Sequence, residues 1–249
     1  MSETSRPTYR FYEELPSTNS ELRSLIFTQN LPPLSVVQAG FQTAGRGQEG
    51  NRWESARGEN LLFSILIKPK ELLALHQFYL SKAISVALVE SLNSITPGFK
   101  VKWPNDIYHG DKKVAGILIE NNLNREYIDF SIAGIGLNIN QTEFISDAPN
   151  PISLKQITNT DHPLSEILAK VTDAIGHWIE KLDNNKRSEI DDAYNRQLYR
   201  QAGLHRFSDK NGIFEAALER IEPEGYLVLR DTQNQIRSYA FKEVNYIIS

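Results

Sequence analysis

No cysteine occurs in the 249 residues. Its absence removes disulfides, thiolate metal sites and a cysteine nucleophile together, and it permits a reducing compartment. The five histidines, at 76, 109, 162, 177 and 205, are scattered without metal-ligand spacing, so no protein-held metal is expected. No apolar window reaches the roughly 18 residues needed to span a bilayer. The opening segment MSETSRPTYRFYEELP lacks an apolar stretch of signal-peptide length. A cytoplasmic protein without membrane association is therefore expected. Positive charge is not in excess either: 27 Lys and Arg against 31 Asp and Glu leave a net charge of −4. That balance argues against a general nucleic-acid surface. What is present, 40% hydrophobic and 23% charged residues, is ordinary for a globular chain. The length suits one large domain, or a medium domain with a small one.

Helical and strand patterns alternate without repeats. YRFYEEL (9–15) reads as a first strand and PSTNSELRSLIF (16–27) as a helix with a capping-box pattern ahead of Glu21. SVVQAGF (35–41) and NLLFSILI (60–67) read as buried strands. Apolar residues recurring at three and four predict an amphipathic helix over 71–95. Strands follow at 114–121 and 126–140 around an NNLNR turn, then helices at 163–182 and 186–200. After Gly203 the chain turns to short strand-like runs separated by PEG and TQNQ, the signature of a small β-barrel or sandwich. So small a unit buries little surface alone and should lean on the larger one.

Residues 42–53, QTAGRGQEGNRW, contain a literal G-x-G-x-x-G laced with Arg46 and Arg52. A dinucleotide fingerprint needs a helix after the glycines, but here another strand follows. A kinase loop joins two strands, yet the chain lacks the H-R-D and D-F-G elements. A plain solvated loop explains the glycines but not two arginines and a tryptophan at their edge. In VKWPNDIYHGDKKVAGILIE (101–120), Lys102, Lys112 and Lys113 crowd Asp106 and Asp111. A solvated hairpin suffices for Lys112, but Lys113 stands directly before a buried-looking strand whose Gly116 suggests close approach to bare backbone. In GIGLNIN (134–140) glycines and asparagines again interrupt a strand. Ser17-Thr18-Asn19 reads locally as a helix cap.

PSTN, QTAGRGQ-GN-RWES, KWPND, KKVAGILIE and GIGLNIN, in that order, resemble biotin–protein ligases from about residue 10 to the C-terminus. The resemblance implies an α+β fold: a mixed or antiparallel sheet flanked by helices, class II synthetase-like, over 1–203, with a small SH3-like β-barrel over 204–249. Larger members carry an N-terminal helix-turn-helix, and this sequence is expected to be the ligase without that DNA-binding unit. The implied reaction joins biotin to ATP, with Mg2+ carried on the nucleotide, giving biotinyl-5′-AMP. A lysine of a biotin carboxyl carrier protein then takes the biotin. Lys113, Asp106 and Arg46 match catalytic positions. Lys113 and Arg46 would face the carboxylate and phosphate, where a guanidinium suits anion geometry, and Asp106 would orient or deprotonate the incoming lysine. Ser17, Thr18, Asn19, Gln42, Gly45, Gly116, Ile117, Leu118 and Gly134 match biotin-binding positions, with Ser17, Thr18 and Gln42 reading the ureido ring. Gly47, Gln48, Trp53, Asn105 and Asn138 match positions around the adenylate, with Trp53 as a stacking face.

The chain departs from the common pattern where GRGQEGN puts Gln48 and Asn51 in place of arginines, which loses charge beside the phosphate. A lipoate–protein ligase shares the adenylation logic but would need a longer apolar channel. A non-catalytic biotin or nucleotide sensor could use the same pocket, though binding alone does not call for the Lys113 and Asp106 pair. Either a monomer or a homodimer paired through an edge strand is compatible with the sequence.

Overall fold

The computed structural model describes residues 6–47, 52–145 and 150–248. Its first sheet is mixed and seven-stranded. The strands are β1 (Tyr9–Tyr12), β2 (Val36–Ala39), β3 (Leu61–Ile67), β4 (Phe99–Lys102), β5 (Asp106–His109), β6 (Lys112–Asn124) and β7 (Tyr127–Leu137). Their order is β1-β2-β3-β7-β6-β5-β4, and the β1–β2 pair alone is parallel among these neighbours. β2 and β3 are buried throughout, which is why both read as continuous apolar runs rather than alternating ones.

Helices cover the two faces unequally. On one lie α2 (Phe78–Asn93) and α4 (Leu164–Asp183), packed over Phe63, Ile65, Ile117, Ala133 and Ile135. On the other, α1 (Thr18–Thr28) seats Leu22 and Leu25 against Val37, Leu66 and Ile132. Two shorter helices are α3 (Leu154–Thr158) and α5 (Arg187–Arg196), the latter packed against α2 and α4. α2 lacks an apolar stripe because it is buried nearly all round, and it begins at Phe78 rather than at 71, after a 3-10 turn over Ala74–His76. No helix of the described residues is long and apolar enough to cross a membrane.

The second sheet is antiparallel, with β8 (His205–Asp209), β9 (Gly212–Ile221), β10 (Leu227–Asp231), β11 (Ile236–Tyr239) and β12 (Asn245–Tyr246) in the order β11-β10-β9-β8-β12. It does lean on the first. Phe207, Leu227, Leu229 and Val244 belong to the same apolar cluster as Trp103 and α2. Gly225, with φ +99°, comes so close to Phe78 that a Cβ would stand 2.8 Å from that ring, while its carbonyl accepts from Trp103 Nε1 at 2.9 Å.

Several sequence expectations need correction. The turn between β6 and β7 is tighter than NNLNR, because pairing continues to Asn124↔Tyr127 and only Arg125 and Glu126 intervene, Arg125 with φ +57°. The last helix stops at Arg196, short of 200. Trp103 and Asn105, in the turn between β4 and β5, are buried.

Candidate active site

A cavity of about 620 Å³ opens on the α1 side of the first sheet, between α1, the 42–53 loop, the Trp103–Asp106 turn and residues 241–246. Strand alternation decides what faces it. Gly116 and Leu118 on β6, and Gly134 and Gly136 on β7, point the same way because Gly116 pairs with Gly136 and Leu118 with Gly134. Ile117 also lines the cavity, but its side chain belongs to the core on the opposite face, and its carbonyl accepts from Asn105 Nδ2 at 2.9 Å.

One end of the cavity is a buried polar cluster. Ser17 precedes α1 as its N-cap residue but makes no side-chain cap bond, so the expected capping box is not formed there. The neighbouring Thr18 and Glu21 side chains are engaged elsewhere. Gln42 Oε1 accepts from the Thr18 backbone N–H at 2.7 Å and from the Thr18 hydroxyl at 3.1 Å. Ser64 Oγ lies 2.7 Å from Thr18 Oγ1 and donates to Asn19 Oδ1 at 2.6 Å. Glu21 accepts from the Tyr12 hydroxyl instead. Gly134 is required beneath this cluster, since a Cβ would stand 2.3 Å from Asn19 Oδ1.

The other end is charged. Lys113 Nζ pairs with Asp106 Oδ1 at 2.7 Å and sits 5.7 Å above the Trp53 ring. The indole lies on bare backbone: a Cβ on Gly136 would meet it at 2.4 Å, and one on Gly116 at 3.0 Å. Lys102 also lines the cavity, between the Tyr108 and Tyr246 rings. Burial pushes its ammonium below the usual lysine range, and the nearby Lys113 and Arg200 charges add to that against Asp106. At the rim Arg46 is half exposed and reaches Glu120 Oε1 at 3.3 Å. Buried atoms without a protein partner cluster here: Asn19 Nδ2, Trp53 Nε1 and Asn138 Oδ1 all belong to cavity-lining residues. A buried polar atom without a partner is costly, so these three mark where a polar ligand would be read.

Of the residues singled out in the sequence, Ser17, Thr18, Asn19, Gln42, Arg46, Gly47, Trp53, Asn105, Asp106, Lys113, Gly116, Ile117, Leu118, Gly134 and Asn138 all line this one cavity. Gly45 packs behind it, its carbonyl accepting from the Trp53 N–H at 3.2 Å. Gln48 lies outside the described residues. Lys112 is exposed, in keeping with its reading as a surface residue. Sequence reasoning passed over Ser64, Gly136, Lys102 and the wall formed by Phe241, Val244 and Tyr246. Two signals were available: a lone serine inside the apolar run NLLFSILI, and glycines two apart in GIG, which a strand must place on one face.

This arrangement accords with known proteins. The bifunctional ligase/repressor BirA of Bacillus spizizenii is 29% identical over 238 residues, which are 91% of this chain and 70% of that protein. The biotin–[acetyl-CoA-carboxylase] ligase of Paracoccus denitrificans is 29% identical over 228 residues, covering 86% of this chain and 90% of the relative. Among solved structures, the biotin protein ligase of Aquifex aeolicus in complex with biotin and ATP superposes with a TM-score of 0.79 at 27% identity. That match covers 97% of this chain and 99% of the other. The sequence pattern of the biotin/lipoate A/B protein ligases runs through residues 11–138, from β1 to just past β7, and the chain belongs to that family.

Proposed function

We infer that this protein activates biotin with ATP to biotinyl-5′-AMP and transfers the biotin to a lysine of a biotin carboxyl carrier protein. The observation that carries the reading is one cavity with a buried polar cluster at one end and the Lys113–Asp106 pair at the other. The cluster formed by Ser17, Thr18, Asn19, Gln42 and Ser64 suits a ureido ring, with its one carbonyl and two N–H groups. A lipoyl dithiolane offers nothing for these groups to bond. A carboxylate oxygen of biotin attacks the α-phosphorus and pyrophosphate leaves. The carrier amine then attacks the biotinyl carbonyl and AMP leaves. Both steps build negative charge on oxygen, which the preorganised Lys113 ammonium stabilises, while Arg46 adds a second cation at the cavity rim. Asp106 holds Lys113 in place and is the acceptor available to orient the incoming amine. Trp53 offers its indole face to adenine, with Asn105, Asn138 and Gly47 around it.

Among the described residues no group of three or more His, Cys, Asp and Glu could hold a metal. The charged lining is mainly cationic, with Arg46, Arg52, Lys102 and Lys113. A Mg2+ ion would therefore be held by the triphosphate oxygens and supply charge neutralisation there. We place the protein in the ATP-rich cytoplasm, as a monomer or as a homodimer paired through a sheet edge, and assign it no DNA partner on its acidic balance. We treat residues 1–203 and 204–249 as its two domains, a division supported by two sheets that share no strand.

The test is pyrophosphate release by the purified protein with ATP and either biotin or lipoate. Release with biotin alone is expected. Release with lipoate alone would move the protein to the lipoate branch of the family, and release with neither would favour a binding protein.

A further inference from the structure

The segment KKVAGILIE ends on a residue that the reaction above leaves without a role. On β6, Gly116, Leu118 and Glu120 share the cavity-side face, and Glu120 pairs in register with Ile132 under α1. Gly116 lies under Trp53 and Lys113, and Leu118 lines the middle of the cavity. Glu120 stands just beyond, outside the lining. Its Oε2 accepts from Arg23 Nη2 at 3.2 Å, and its Oε1 lies 3.3 Å from Arg46 Nη2. Arg46 also donates to Ser20 Oγ at 3.4 Å, and Ser20 and Arg23 are one turn apart on α1.

We propose that Glu120 is the positioning residue for Arg46, holding the guanidinium of the glycine loop at the α1 rim of the cavity, on the side of the polar cluster, so that its remaining donors meet the ligand there. The proposal rests on the reading of Arg46 as a ligand-binding cation. A long arginine on a glycine-rich loop loses much side-chain freedom when it engages a ligand. A fixed carboxylate at the strand end removes part of that cost before the ligand arrives. Arg23 holds the same carboxylate from the other side, so α1, β6 and the loop are tied at one point. Glu120 acts through Arg46 and touches no reacting atom. Its effect should therefore fall on ligand affinity and leave turnover almost unchanged.

A double-mutant cycle on the full-length protein tests this, with biotin affinity read by calorimetry and kcat read by pyrophosphate release. Glu120→Gln keeps the shape and removes the charge. Exposed ion pairs couple weakly, so biotin affinity should fall about three- to fivefold, with kcat within about twofold. Arg46→Met should weaken biotin further, and adding Glu120→Gln to it should have no additional effect. An unchanged affinity in Glu120→Gln would overturn the proposal. So would an equal further loss in the Arg46→Met background, which would show that Glu120 merely fastens α1 to the sheet. If Arg46→Met itself binds biotin normally, the assignment of Arg46 falls, and the proposal falls with it.

Discussion

Gly134→Ala isolates the contact that shapes the polar end of the cavity. The added methyl would stand 2.3 Å from Asn19 Oδ1 and 2.9 Å from its Cγ. Asn19 cannot simply swing away, because it is 3% exposed and its Oδ1 accepts from Ser64 at 2.6 Å. Overpacking a rigid site costs about 1–3 kcal/mol, and losing the Ser64 bond adds roughly 0.5–1.5 kcal/mol. In a chain of this size each kcal/mol lowers Tm by about 2–4 °C, so a fall of about 5–10 °C is expected. Displacing Asn19 also moves Nδ2, the unpartnered donor we assign to the ligand, so biotin affinity should drop about tenfold or more. Calorimetric titration and thermal melts with and without biotin measure both effects. Gly134→Ala combined with Asn19→Ser should recover most of the stability and none of the affinity. Native Tm and native biotin affinity in Gly134→Ala would refute the reasoning, because they would mean that Asn19 neither packs on Gly134 nor reads the ligand.

Lys113→Ala should lower the rate of adenylate formation by about 10²–10³ with the fold intact, as measured by pyrophosphate release, whereas exposed Lys112→Ala should match the native rate. Trp103→Phe removes the bond to the Gly225 carbonyl and leaves that acceptor unpaired. A stability loss of about 1–3 kcal/mol is expected from denaturant midpoints. Tyr79, Tyr199 and Tyr239 are each pushed up to about 12, mainly by burial, from the usual 10.0. The folded state thus keeps protons that the unfolded state releases. Stability should fall as pH rises from about 10 toward 12, by up to about 1.4 kcal/mol per pH unit for each tyrosine. Equal urea midpoints at pH 10.5 and 11.5 would contradict this.

Much of the fold could be read from local pattern. β3 was visible because seven consecutive buried positions leave an uninterrupted apolar run, and α4 because its apolar face recurs at helical spacing. The glycine loop was correctly separated from a dinucleotide fingerprint, since β3 and not a helix follows it. What stayed hidden depends on contacts distant in sequence. Nothing local tells that Ser17 would make no cap bond, or that Thr18 would turn to Gln42 and Ser64, which lie 24 and 46 residues from it. Nor can periodicity show that Trp103 would be covered by Gly225 and Phe241, more than a hundred residues further along the chain. The site residues were legible as types, and their convergence on one cavity was not.

The wall that residues 241–246 give to the cavity bears on how the protein is made. Synthesis runs from the N-terminus, so α1, the glycine loop and the β6–β7 hairpin emerge from the ribosome long before Val244 and Tyr246 exist. The pocket is therefore completed only after residues 241–246 have been made. Without those residues the cleft that holds Lys113 and Asp106 would be open on that side. Taking the closing wall from the region of the second sheet ties completion of the pocket to the folding of a segment made well after the Lys113–Asp106 pair.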